Sequence, residues 1–147
     1  MIRRCLFTVL LVCFVFVSPV LAFVPGDEVI LSFPPAKLQK NEKIVGFEII
    51  VTTGNIIAVD RIPEDWSLDL QAEISSKTTI SGLSRHGAGA LFAPSELPTI
   101  TIRVNKPVGE TAPRFSVEAT IHVTADFEKT RTIRLKQTDL VLKKKGI

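Results

Sequence analysis

The sequence predicts an all-β protein, an immunoglobulin-like antiparallel β-sandwich of about seven or eight strands. The first observation is that apolar and polar residues alternate over several short runs, as they do in strands with one buried and one wet face. The second is that turn-forming residues separate these runs at short intervals. The third is that no stretch after the N-terminal segment sustains a helical period. Together these observations favour two packed antiparallel sheets over a helical or mixed fold.

The central stretch from Gly46 to Ile74 predicts a strand, a tight turn, a second strand, a polar corner and a third strand. Gly54-Asn55 lies between two runs rich in β-branched residues, and both residues tolerate the positive φ of a two-residue hairpin. Such a hairpin would pair Glu48 with Arg61. It would also place Asp60 on the more apolar face, so we expect Asp60 at a sheet edge or turned outward by a bulge.

Beyond the central stretch, the predicted strands are residues 28–33, 78–83, 99–104, 114–124 and 132–142. In the run that begins at Trp66, alternation directs Trp66, Leu68 and Leu70 inward. The other clear rows of inward residues are Ile100, Ile102 and Val104, and then Phe115, Val117, Ala119, Ile121 and Val123. The last run, 132–142, changes parity between Leu135 and Leu140, which predicts a bulge near Gln137-Thr138.

Residues 1–22 have the pattern of a secretion signal. A short basic start at Arg3-Arg4 is followed by an apolar run to Val17, and Val20 and Ala22 are the small residues before a cleavage site. We expect cleavage after Ala22, which leaves residues 23–147 as one β-sandwich domain with no stable membrane span. The alternative is an uncleaved anchor, because the apolar character approaches spanning length.

Loss of the leader changes the composition. Both cysteines, Cys5 and Cys13, lie in it, so the remaining chain has no disulfide. Removal of Arg3 and Arg4 lowers the net charge from +3 to +1, which does not favour nucleic-acid binding. No asparagine begins a glycosylation sequon, which fits a bacterial envelope, so we expect a periplasmic or secreted protein.

The loop of small residues around His86 is the first candidate binding site. Backbone N–H groups of such a loop can face an anion, and the candidates are Arg85, His86, Gly87 and Gly89. The alternative is a tight structural loop with an exposed histidine. No Gly-X-Ser-X-Gly elbow accompanies it, so a nucleophile of that type is not predicted.

A local group of acids is the second candidate site. Asp60, Glu64 and Asp65 supply the oxygen ligands that calcium prefers, although their spacing matches no calcium loop. The alternative is a solvated acidic corner. No cofactor is predicted, since the sequence contains no cofactor-binding motif.

The C-terminal third is basic, with Arg131, Arg134 and three lysines at 143–145. These cations protect an edge strand from aggregation or contact an anionic surface; the first interpretation is favoured. The function that we expect is therefore non-enzymatic: protein–protein contacts in the envelope or outside it, made through an exposed sheet edge. The alternatives are a polysaccharide- or metal-binding accessory module and a small hydrolase.

Overall fold

The computed structural model describes residues 22–33, 37–72, 76–84 and 98–147. Strands dominate these residues, and the predicted all-β class is confirmed. In this part of the chain, no helix has the length and apolar character needed to cross a membrane. The strands are β1 (Glu28–Ser32), β2 (Lys43–Thr52), β3 (Gly54–Asp60), β4 (Trp66–Ala72), β5 (Lys77–Ser84), β6 (Thr99–Val104), β7 (Ser116–Thr124), β8 (Thr130–Leu135) and β9 (Val141–Lys144).

The strands form two antiparallel sheets that share one apolar core. The four-stranded sheet has the order β3-β6-β1-β9, and the five-stranded sheet has the order β4-β5-β2-β7-β8. Alternate residues of the central strands are fully buried between the sheets, as the sequence predicts for the rows on β6 and β7. The largest of these side chains are Phe47, Leu31, Ile44, Ile49, Ile80, Ile100, Ile102 and Ile121.

The predicted hairpin at Gly54-Asn55 is wrong. β2 pairs with β5 and β7, whereas β3 pairs with β6 in the other sheet. The positive φ falls on Thr53, at 55°, and not on Gly54 or Asn55. A Cβ atom at Gly54 would lie 2.8 Å from Val51 Cγ1, so the glycine is needed for close packing rather than for a turn. Glu48 consequently lies opposite Ser81 and Thr120, and not opposite Arg61.

The expectation for Asp60 is confirmed. β3 is an edge strand, and its register shifts between Ile56 and Ala58. Asp60 follows this bulge and is exposed. A bulge changes the side to which the following residues point, which is why the acid leaves the apolar face.

The predicted bulge in the last strand is also wrong, because the chain changes sheet there. β8 ends at Leu135, a 3₁₀ helix spans Gln137–Asp139, and β9 joins the four-stranded sheet beside β1. Leu140 is buried in the core at this crossing. The change of parity therefore marks a passage between sheets.

The strand from Trp66 confirms one prediction and corrects another. Trp66 is buried and stacks on Phe47, with ring centroids 5.7 Å apart. Leu68 and Leu70, however, are 38% and 54% exposed. Their strand, β4, lies at the edge of its sheet, and its close backbone contacts are with β5 of the same sheet. The inner face of β4 therefore extends beyond the cover of the opposite sheet.

Candidate interaction site at a sheet edge

The predicted loop site lies outside the described residues. Arg85, His86, Gly87 and Gly89 all fall between Ser84, where β5 ends, and Pro98, just before β6. The prediction that this loop binds a ligand therefore stays a prediction.

The predicted acidic site is spread over the passage from β3 to β4. Asp60 and Glu64 are exposed, and Asp65 is half-buried in the turn before Trp66. That turn is closed by the Trp66 N–H, which donates to the Pro63 carbonyl over 3.0 Å. Across the described ranges, no group of three or more His, Cys, Asp or Glu side chains has the geometry to hold a metal ion.

Among the strands that the structure describes, four are edge strands, and three of these carry recognised protection against pairing with another chain. β3 is interrupted by its bulge, and bulges blunt an edge. β8 carries Arg131 and Arg134, and β9 carries Lys143 and Lys144. Positive side chains on an edge strand oppose aggregation, because they must be desolvated when another strand adds.

β4 carries none of these devices between Trp66 and Ala72. Its sequence, WSLDLQA, contains no lysine, arginine or proline, and its register against β5 is continuous. A straight edge without a cation presents a row of main-chain groups that another strand can pair with. We call this feature the β4 edge; it carries the exposed leucines Leu68 and Leu70 on its inner side and Asp69 on its outer side.

The leucines of the β4 edge point to the core side of the sheet. Leu68 is opposite Gly82, and Leu70 is opposite the buried Ile80. A Cβ atom at Gly82 would lie 2.5 Å from the Phe47 ring and 3.1 Å from Leu68 Cδ2. Because Gly82 has no side chain, the Phe47 ring and Leu68 can both pack beside its Cα atom.

The outer side of the β4 edge is polar, with one apolar neighbour. Asp69 is exposed, and its carboxylate accepts a hydrogen bond of 2.7 Å from Gln71 Nε2. Leu83 on β5, opposite Ser67, is 59% exposed on this outer face. A strand added to β4 would therefore meet apolar surface on the inner side and the Asp69 carboxylate on the outer side.

The basic β9 edge is held by ion pairs to the start of β1. Lys144 Nζ lies 2.7 Å from Asp27 Oδ1, and Lys145 Nζ lies 2.9 Å from Glu28 Oε2. Arg103 on β6 also binds Glu28, at 2.9 Å. Hydrogen bonds from Lys144 lower the pKa of Asp27, and those from Arg103 and Lys145 lower the pKa of Glu28. These cations stabilise the fold in addition to protecting the edge.

The basic β8 edge has a similar anchor. Arg131 Nε donates to Glu42 Oε1 over 2.8 Å, and Glu42 is buried before β2. The hydrogen bond from Arg131 lowers the pKa of Glu42 and raises that of Arg131. Arg131 is therefore engaged within the molecule, whereas the β4 edge has no comparable cation along Trp66–Ala72.

Two cavities lie at the end of the sandwich where β2 crosses to β3. The larger, about 540 Å³, is lined mainly by polar residues and prolines, among them Asn55, Asn105, Lys106 and Thr111. The smaller, about 330 Å³, lies beside the edge-to-face pair of Phe23 and Phe115. The larger cavity has the hydrogen-bonding groups that a small polar ligand needs, whereas the smaller is lined mainly by apolar residues.

Comparison of the chain with protein-family models, with curated proteins and with solved structures found no match. The site must therefore be judged on its own chemistry. Sequence reasoning correctly directed Leu68 and Leu70 inward but missed that they are exposed at the β4 edge. The available signal was a run without Lys, Arg or Pro, in contrast to the basic runs that form β8 and β9.

Proposed function

We propose that the protein is exported, is cleaved after Ala22, and acts by binding another protein in the cell envelope or outside it, without catalysing a reaction. The observation that carries this proposal is the β4 edge. Its register is continuous, it contains no lysine or arginine between Trp66 and Ala72, and it carries two exposed leucines. Addition of a partner strand to such an edge is a common way of recognising an extended segment.

The proposed domain, residues 23–147, is supported by the packing of its first residues. The Phe23 ring packs edge-on against Phe115, with centroids 5.7 Å apart. The Gly26 N–H donates to the Val104 carbonyl, and the Val104 N–H donates to the Asp27 carbonyl. Residues directly after the proposed cleavage site thus contribute to the fold. We also propose the immunoglobulin-like class in its broad sense, which is supported by the repeated passage of the chain between two antiparallel sheets.

The test is crosslinking in the native host, with a C-terminal tag on the full-length sequence, followed by mass spectrometry. We expect one dominant, stoichiometric partner from the envelope and an N-terminus at Phe23. A protein that stays monomeric and captures nothing from its envelope would overturn the proposal. An N-terminus at Met1 would overturn the cleavage but leave the binding function standing.

The second candidate function is binding of polysaccharide, and its support is the 540 Å³ cavity. Asn55, Asn105 and Thr111 supply hydrogen-bonding groups there, and Lys106 supplies one cation. If this function holds, Asn105→Ala together with Lys106→Ala reduces retention on envelope polysaccharide, while charge changes on β4 leave retention unaltered. Equal retention of all variants would remove this candidate.

A further inference from the structure

The β4 edge differs from the other three edges in what it would offer an added strand. Its inner side presents Leu68 and Leu70, which are exposed although they point toward the core side. Its outer side presents the carboxylate of Asp69 between Ser67 and Gln71. An added strand places one side chain directly opposite each of these residues, and side chains on the same face interact.

A second copy of this chain fits the edge poorly. Two β4 strands that pair antiparallel with full overlap place Leu68 opposite Leu70, which is favourable. The same register places Asp69 opposite the Asp69 of the other copy, and like charges directly opposite are destabilising. A shift by two residues separates the two acids but shortens the overlap of a seven-residue strand. Asp69 therefore acts against self-association of the protein through the β4 edge.

We propose that the β4 edge binds an extended segment of a different protein, with apolar residues facing Leu68 and Leu70 and a lysine or arginine facing Asp69. This inference rests on the proposed function and names the chemistry of the partner. The cation pairs with Asp69 on the outer face. The main-chain groups supply affinity, while the leucines and Asp69 select the segment.

The test uses a blocked synthetic peptide, Val-Thr-Val-Lys-Val-Thr-Val, and a matched peptide with glutamate in place of lysine. The protein is the mature chain as purified from its host, each peptide carries a terminal fluorophore, and affinity is measured by fluorescence anisotropy. We expect the lysine peptide to bind about fivefold more tightly than the glutamate peptide. We also expect slower amide exchange within Trp66–Ala72 when the lysine peptide is bound.

Charge reversal gives the decisive comparison. Asp69→Lys should reverse the preference, so that the glutamate peptide binds more tightly. The matched control is Asp60→Lys, which changes the net charge equally on the bulged edge strand β3 and should leave the preference unchanged. Because both variants alter exposed residues, loss of folding would not explain an inverted preference.

The other outcomes overturn either this inference or the proposed function, and they distinguish the two. No binding, equal affinity for both peptides, or an unchanged preference in Asp69→Lys would show that Asp69 does not select the segment. A wild-type dimer whose formation slows amide exchange within Trp66–Ala72 would identify a second copy as the occupant. If crosslinking in the host finds a partner whose capture is insensitive to Asp69→Lys, the proposed function survives and this inference fails. If the peptide binds as expected but the host yields no partner, the edge chemistry stands and the proposed function fails.

Discussion

The chain passes between the two sheets several times, and two of these crossings are built in different ways. The first crossing is a single residue, Thr53, between β2 and β3. The second crossing, residues 136–140, contains a 3₁₀ helix between β8 and β9. The first leads from the centre of one sheet to the edge of the other, and the second joins two edge strands. One crossing is fixed by close packing and backbone bonding, the other by side chains that fold back on the main chain.

The first crossing is held by groups that do not titrate. Thr53 N–H donates to the Ser76 carbonyl over 2.7 Å, and Thr53 Oγ1 donates to the Pro113 carbonyl over 2.6 Å. The Thr53 carbonyl accepts from the Asn105 N–H at 3.0 Å. A β-branched residue with φ of 55° is strained, so these bonds must offset the cost of that conformation.

The second crossing depends on two polar side chains. Asp139 Oδ2 accepts from the Lys136 N–H at 3.0 Å, and Lys37 Nζ lies 3.3 Å from Asp139 Oδ1. Gln137 Oε1 accepts from the Val117 N–H at 3.1 Å and so ties the crossing to β7. Because Asp139 is a carboxylate, only this crossing has a bond that acid can remove.

The largest effect is expected from filling the first crossing. Gly54→Ala places a Cβ atom 2.8 Å from Val51 Cγ1 and 3.1 Å from the Arg103 carbonyl oxygen. Overpacking of this kind should lower the free energy of unfolding by about 2–3 kcal/mol, measured by denaturant titration. The control is Gly109→Ala, where φ is +97° but no atom lies within 4 Å, and the loss should be about 1 kcal/mol. Equal losses of stability in the two variants would mean that close packing is not the reason why glycine is needed at position 54.

The next effect tests the hydroxyl of Thr53. Thr53→Val keeps the β-branch at positive φ, so the conformational strain is the same in both proteins, but it removes the donor to the Pro113 carbonyl. We expect the free energy of unfolding to fall by about 1.5 kcal/mol. Thr52→Val, one residue earlier on β2, should change it little. If Thr53→Val lowers the free energy of unfolding no more than Thr52→Val does, the Thr53 hydroxyl does not stabilise the crossing and only the backbone hydrogen bonds do.

At both crossings the sequence predicts the flanking strands correctly but not the sheet that each strand joins. Alternation identified the strands and most buried faces, because which side of a strand is apolar is a local property, as in Val117 to Val123 on β7. Which sheet a strand joins is decided by partners far along the chain. Gly54-Asn55 is typical of a hairpin, yet the glycine serves close packing with Val51. The parity change before Leu140 is typical of a bulge, yet it marks a change of sheet.

The candidate site was less predictable than the fold for the same reason. Alternation correctly indicates that Leu68 and Leu70 point to the core side of β4. It cannot indicate that β4 lies at the edge of its sheet, where these two leucines stay partly exposed. Exposure at an edge depends on how far the opposite sheet extends, and this information is absent from the strand itself.

A smaller effect is expected at the second crossing. Gln137→Ala removes the acceptor of the Val117 N–H and should lower the free energy of unfolding by about 1 kcal/mol. Gln137→Glu retains a side-chain oxygen at the same position and should lose less. If both variants lose the same amount, Gln137 contributes through packing and not through the hydrogen bond to β7.

The smallest effect is a difference in acid sensitivity between the two crossings. The Lys136 N–H, and then Lys37, lower the pKa of Asp139 from its ordinary value of 3.8. The unfolded chain therefore takes up this proton at a higher pH than the folded chain does. The stability contributed by Asp139 is complete above the ordinary value and is lost as pH falls through the lower folded pKa.

Local amide exchange separates this loss from the global one, because Asp27, Glu28 and Glu42 also have lowered pKa values and weaken the whole fold in acid. Below about pH 4, protection of the Lys136 amide should decrease before that of the Thr53 amide, whose acceptor is the Ser76 carbonyl. Asp139→Asn keeps a side-chain oxygen that does not titrate in this range, so the early decrease at Lys136 should disappear. Parallel loss of protection at both amides in the unsubstituted protein would mean that the two crossings open together, and that the carboxylate of Asp139 does not govern the second crossing.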